Sequence, residues 1–418
     1  MRNLRFLRQL VGAAAVVITA SACSGVLDIE YPGRIPAEQV DDPSLANVLV
    51  TGVVGDLECA YNNYVAGNAA HSDEYETANS NGTGAAWGER GITASSGDYV
   101  DGPCEGTFTS FGLQTVMHTA RLQATDVFAK LNGWTDAQVP NRKLLLARTR
   151  TYGGYPYVFF GESYCEVAFD GAPAVSRAQS LATAETIFAE AITLATAAGD
   201  NDMLNLARVG MARTKMNLNK WADAVAVASQ VSVGYVKMAD RGTENDRRYN
   251  KLHENHTIGG LYVIADAYRT MNDPRVVVRD AGRGAFNPGI RLWVTDKYTS
   301  LGDPIRLASY LEARLIQAEG LAQQNQVTAA MAILNARRAE LTLTPLTATT
   351  QAEAVQAVIG ERQRELAFEG GHRINDILRY TIPWKGANGS TKTVNDYTGR
   401  PYGGTTCWPL PNSEKSGA

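Results

Sequence analysis

Apolar positions along this chain recur at helical spacing in blocks, separated by stretches rich in Gly, Asn and Thr. The segment Leu204–Val231 reads as a helical pair. Leu206, Val209, Met211 and Ala212 line the first helix, Trp221, Ala224, Val225 and Ala228 the second, and Asn217-Leu218-Asn219 makes the turn. Trp221 stands at a pairing position and is expected in the core. Leu307–Leu341 repeats the plan with Leu311, Leu315, Ala318 and Leu321, a turn at Gln324-Asn325, then Val327, Ala330, Ile333 and Leu334. Ala212 and Ala224 are separated by the same interval as Ala318 and Ala330. Small residues at those places let antiparallel helices approach closely, which is the pattern of tetratricopeptide repeats. Leu144–Tyr152, followed across a loop by Ser180–Ala198, fits a further pair. Repeat-like helices are therefore expected over 140–230 and 305–380.

The last block ends in a dense run of charge. Glu361, Glu365 and Glu369 are spaced four apart and share one helix face, with Arg362 and Arg364 on neighbouring faces. Val355, Val358, Ile359, Leu366 and Phe368 form its apolar side, and Gly370-Gly371 supplies a stop. Glu365 and Glu369 could serve as an acid/base pair. No nucleophile or aromatic platform accompanies them, so an ion-pair network joining neighbouring helices is the favoured reading.

Two irregular stretches could form a ligand site. Tyr61–Gly106 is rich in Gly, Asn, Ser and Thr and carries Tyr61, Tyr64, Tyr75, Trp87 and Tyr99, with Asp73, Asn79, Asn81 and Arg90 nearby. A loop of that length is more often functional than filler. The second stretch, Asn287–Gly302, brings Trp293 and Tyr298. Sugars lay their C–H faces on aromatic rings while Asp, Asn and Arg bond their hydroxyls, so these residues suit a carbohydrate.

The N-terminus speaks to compartment. Arg2, Arg5 and Arg8 precede the uncharged stretch Leu10–Ala22, which ends in Ala20-Ser21-Ala22-Cys23. A basic start, a short apolar core and small residues before the cut mark an export signal over 1–22. Cys23 would then be an acylated N-terminus, although Ala20 stands where a leucine is usual. The remaining cysteines, Cys59, Cys104, Cys165 and Cys407, are even in number, as disulfides in an exported protein would be. Three pairings are open; Cys59–Cys104 with Cys165–Cys407 is the one expected.

The 418 residues carry a net charge of −4 with mixed signs and no long basic run, which argues against nucleic-acid binding. No apolar segment of the mature chain reads as long enough to span a membrane. His253 and His256 lack a third metal ligand in sequence, and no phosphate-binding loop or nucleophile elbow occurs.

Glu361, Arg362, Glu365, Leu366, Glu369, Gly370, Arg373, Asp376 and Arg379 together resemble the C-terminal signature of the SusD/RagB-like family, with Gly371 as one inserted residue. Lys297-Tyr298, the Glu312–Glu319 helix and Cys407-Trp408-Pro409-Leu410-Pro411 with Glu414 extend the likeness, and Asp73-Glu74 falls where the family often has an Asp-Glu step. The resemblance implies a mainly α fold of tetratricopeptide-like helical pairs packed against an irregular, loop-rich half, occupying 23–418. It implies a lipid-anchored, surface-exposed outer-membrane protein that binds a nutrient, most often an oligosaccharide, without cofactor or catalysis. Its partner would be a TonB-dependent, SusC-like transporter. The site would lie in the irregular half, with Trp87 as first candidate and Trp293 as second, supported by Asp73, Tyr75, Asn81, Arg90 and Tyr298. The competing expectations are a periplasmic helical scaffold and a glycan hydrolase.

Overall fold

A computed structural model describes residues 39–80, 82–102, 104, 111–391 and 400–415. The signal segment, Cys23 and Asn81 lie outside the described residues. Residues 1–45 form a unit of their own, of which 39–45 make a turn closed by the short 3-10 helix Pro43–Leu45. Residues 46–418 are one compact unit.

That unit is built on helices α1 (Ala46–His71), α2 (Gln114–Gly133), α3 (Arg142–Ser163), α4 (Arg177–Ala198), α5 (Asn201–Asn217), α6 (Trp221–Ala228), α7 (Tyr310–Gln323), α8 (Val327–Glu340), α9 (Gln351–Glu365) and α10 (His372–Tyr380). The pairs expected from the alanine spacing are present as α5–α6 and α7–α8. Ala212, Ala224, Ala318 and Ala330 are all fully buried. Asn219 and Asn325 hold the two turns with positive φ, a conformation Asn tolerates better than most residues. The third pair is α3–α4, with α3 running eleven residues past Tyr152 to Ser163. A capping box on Ser176 and Gln179 starts α4, and Gly199 in the left-handed region ends it. By length and composition α4 could cross a membrane, which the sequence reading did not anticipate. Its hydropathy comes from Leu181, Ile187, Phe188, Ile192 and Leu194 together with its alanines, and its buried face packs against α3 and α5.

Two expectations need correction. Leu307 begins no helix: Ile305–Ser309 is a strand, and the Ser309 side chain caps α7 by accepting from the Glu312 N–H at 3.1 Å. Trp221 is only half-buried, because it opens α6 at the surface end of the turn.

The irregular half consists of short antiparallel pairs. β1 (Tyr75–Thr77) pairs with β5 (Tyr262–Ile264), β2 (Glu166–Val167) with β3 (Val175–Ser176), β4 (Val236–Ala239) with β8 (Ile305–Ser309), and β6 (Val278–Gly284) with β7 (Arg291–Thr295). Between the two halves runs α1. From Leu57 to His71 every residue of α1 is buried, so what reads as the start of a polar loop is the central helix of the molecule. Its asparagines serve neighbouring elements: Asn62 donates to the Tyr249 carbonyl (2.8 Å), Asn63 to Gly112 (3.2 Å) and Asn68 to Ser163 Oγ (3.2 Å). Disulfides join Cys59 to Cys104 and Cys165 to Cys407, with Cα separations of 5.7 and 5.0 Å.

Candidate functional site

The charged signature folds inward. Glu361 accepts from Arg275 and Arg338, each at 2.7 Å. Glu365 takes a two-pronged contact from Arg337 at 3.0 Å on both oxygens, and Glu369 pairs with Arg306 at 2.9 Å and Lys297 at 3.4 Å. All three glutamates are buried. Burial works against the Arg362 charge, yet Asp376 (2.9 Å) and Glu319 hold it above its ordinary value. Arg373 grips Asp73 with two bonds of 2.6 Å, and the neighbouring Glu74 accepts the Phe368 N–H at 2.7 Å. Asp73-Glu74 is therefore the docking point for the turn that follows α9. That turn needs glycine. Gly370 and Gly371 both have positive φ, and a Cβ on Gly371 would sit 2.2 Å from the Tyr64 ring.

This geometry is structural. A carboxylate held between two cations is poorly placed to donate or accept a proton from a sugar. The cavity touching Glu361 and Glu365 measures about 80 Å³, well below the roughly 300–1,000 Å³ of ligand pockets. Among the described residues no cluster of three His, Cys, Asp or Glu side chains could hold a metal. His253 instead contacts the Tyr298 carbonyl at 3.1 Å, and His256 stacks on Tyr75 at 3.7 Å.

Most of the loop residues proposed as ligand contacts are likewise internal. Trp87 is fully buried in an aromatic cluster with Phe111 (5.2 Å), Trp408 (6.1 Å) and Tyr99 (6.4 Å). Tyr75 is buried under His256, and Tyr298 donates from inside the core to the Phe368 carbonyl at 3.0 Å. Asp73 is committed to Arg373. The rings of Trp87, Tyr75 and Tyr298 present no face to a ligand, because rings close in sequence collapse on one another when the glycines around them turn the chain.

Arg90 and Trp293 have a different setting. Arg90 is buried, but its guanidinium lies over the ring of Trp384 at 5.1 Å. Trp384 is half-buried, and the edge-on ring of His71 lies 5.6 Å away. The next residue, Lys385, donates to the Ala70 and Tyr75 carbonyls at 2.7 and 2.8 Å, tying this loop to β1. On β1, Tyr75 and Thr77 point inward and Glu76 is half-exposed. Glu76 acts electrostatically on Arg269, whose guanidinium lies 5.5 Å from the ring of half-buried Trp293. Two accessible tryptophans, each with an arginine against it, thus connect to β1, Trp384 through Lys385 and the Tyr75 carbonyl, and Trp293 through Arg269 and the Glu76 carboxylate. Sequence reasoning missed Trp384 and Glu76. The available signal was the Pro383-Trp384-Lys385-Gly386 step just past the last signature helix, where a tryptophan outside any periodic block needs a reason.

Residues 297–416 match the SusD family. No curated protein matches the chain. Among solved structures the fold is that of SusD-like proteins. A SusD homolog from Bacteroides thetaiotaomicron VPI-5482 superposes with a TM-score of 0.69 at 13% identity, covering 92% of this chain and 98% of its own. A laminarin binding SusD-like protein gives 0.63 at 16% identity, covering 90% and 97%. Surface glycan-binding protein A from Bacteroides uniformis gives 0.61 at 16%, covering 88% and 98%.

Proposed function

The chain is SusD-like in its C-terminal sequence and in its fold, and from that premise we propose that it binds a glycan on the surface carrying Trp384, Glu76, Arg269 and Trp293. The observation that carries the reading is the pair of accessible tryptophans connected through β1 on the loop-rich half. A pyranose ring can lay its C–H face on indole, while Glu76 accepts from sugar hydroxyls and Arg269 donates to them. Its likeness to a laminarin binding protein and to a surface glycan-binding protein supports the choice of ligand class. The finer reading adds acylation at Cys23, display on the outer membrane, and delivery of the glycan to a TonB-dependent, SusC-like transporter. No step of this function needs bond-breaking chemistry.

Affinity electrophoresis through gels containing laminarin, starch or xylan tests the binding. Retardation by one polysaccharide is expected, with Trp384→Ala and Trp293→Ala each weakening it by about tenfold, roughly one lost stacking contact. Migration unaffected by any of the glycans would overturn the reading. Purification from native outer membranes tests the hand-off: a large β-barrel protein in near-equal amount is expected. Recovery of soluble periplasmic partners instead would favour a scaffold.

A further inference from the structure

Toward the other end of α1 from His71, a cleft of about 550 Å³ opens among α1, α3, β4 and the turn ending at Arg248. Its volume falls within the roughly 300–1,000 Å³ typical of ligand sites. Val54, Gly55 and Glu58 face it from successive turns of α1, and Arg148 and Tyr152 from successive turns of α3. A Cβ on Gly55 would meet nothing within 4 Å, so the floor is open there.

Several polar groups of this cleft are open to a ligand. The Tyr152 ring is buried, and its hydroxyl makes no hydrogen bond among the described residues and is surrounded by Glu58, Arg148, Asp202 and Asp240, which act on it electrostatically. Arg148 and Asp240 are exposed and Arg248 is half-buried; none makes a close ion pair among the described residues, and Arg248 acts electrostatically on Glu58. Lys237 and Asp202, by contrast, neutralise each other at 2.6 Å. Glu58 is held from behind, accepting the Asp240 N–H at 3.1 Å. Acids (Glu58, Asp202, Asp240) and bases (Arg148, Lys237, Arg248) are equal in number on the lining, so no strongly charged ligand is favoured. Val54, Val236 and Met238 add an apolar strip. Open donors and acceptors around an apolar strip suit a neutral molecule with a hydroxyl rim and C–H faces.

We propose that this cleft is a second carbohydrate site, taking a short stretch of a neutral glycan through Tyr152, Arg148, Arg248 and Asp240. The inference rests on the glycan-binding reading above. The thirteen residues from Glu58 to His71 place the two sites about 20 Å apart along α1. One long glycan reaching both sites would gain avidity from the linkage.

Calorimetric titration of the chain with trisaccharides of glucose, xylose, mannose and galactose, too short to reach both sites at once, tests the proposal. Wild type should bind more than one equivalent of the preferred sugar. Gly55→Leu, which fills the cleft without touching backbone, should reduce this to a single equivalent. Tyr152→Phe should weaken the second site by about tenfold, the worth of one good hydrogen bond. Trp384→Ala should leave that second site intact. A single equivalent in wild type, unchanged by Gly55→Leu, would overturn the second site while leaving the first standing. Absence of binding by any of the sugars to wild type would remove both.

Discussion

The histidines show how burial of single side chains sets the response of the whole protein to pH. Burial pushes His71 and His256 down to about 3 and His118 to about 4, and His372 also lies well below its ordinary value. Each takes up a proton in the unfolded chain below about pH 6.5 and stays neutral when folded, so acidification through that value costs stability. Glu74 and Glu312 oppose this, since burial raises each to about 7 and the folded state binds the extra proton between about 4.5 and 7. Burial raises Asp56, Glu58 and Glu254 as well, which trims the net loss, and chemical denaturation at stepped pH should show stability falling on acidification as the histidines of the unfolded chain take up protons. His256→Phe isolates one contribution. Both ring nitrogens of His256 lack partners and its ring stacks on Tyr75, so phenylalanine keeps the stack and removes the unmet polar atoms. The variant should be at least as stable as wild type at pH 7 and lose about one proton of acid sensitivity; greater instability at pH 7 would mean that His256 is hydrogen-bonded. Glu365→Gln should behave oppositely, costing about 3 kcal/mol by leaving Arg337 with only the exposed Glu340 as counter-charge, with glycan binding unchanged. The inward role of that signature was legible because paired carboxylates and arginines at helical spacing need partners. Trp87 was misread because sequence gives the presence of a ring and not which side of the chain closes over it.

Among helices, legibility followed the spacing of small residues. The α5–α6 and α7–α8 pairs announce themselves by alanines at a matched interval, Ala212 with Ala224 and Ala318 with Ala330, although α7 is itself buried on most sides. At their junction Gly320 has almost no room: a Cβ there would lie 2.6 Å from Val225 Cγ2 and 3.0 Å from the Trp221 carbonyl oxygen. Gly320→Ala should therefore separate α6 from α7 at a cost of about 1–3 kcal/mol. Gly52, also helical but exposed and with nothing within 4 Å of a Cβ, gives the contrast. Gly52→Ala should stabilise α1 by about 0.5–1 kcal/mol. Thermal melts of the two variants should move in opposite directions; equal shifts would show that close packing at the α6–α7 crossing is unimportant. The C-terminal half of α1 escaped prediction for a physical reason. A helix enclosed on all sides has no polar face to impose a period, and Asn62, Asn63 and Asn68 lend it the composition of a loop.

Across the whole molecule, the C-terminal strap after α10 links helical core to loop surface. It leaves Tyr380, lays Trp384 beside Arg90 and His71, and later buries Trp408 against Tyr64 (5.7 Å) and Tyr164 (5.2 Å). Cys407 fastens it to Cys165 at the end of α3, a closure spanning 242 residues of sequence. Replacing both cysteines by serine should lower stability by about 2–4 kcal/mol, since the link restrains the unfolded chain. The strap also positions Trp384, so the same variant should migrate faster than wild type through a gel of the preferred glycan. Removing Cys59 and Cys104 instead restrains no part of the strap and should lower stability with less effect on retardation. Were both double variants to lose stability and keep full retardation, Lys385 and Arg90 alone would suffice to hold Trp384, through their contacts with Tyr75 and Gly386. The glycan surface would then belong to the body of the fold, with the strap's far end serving only to seal the core around Trp408.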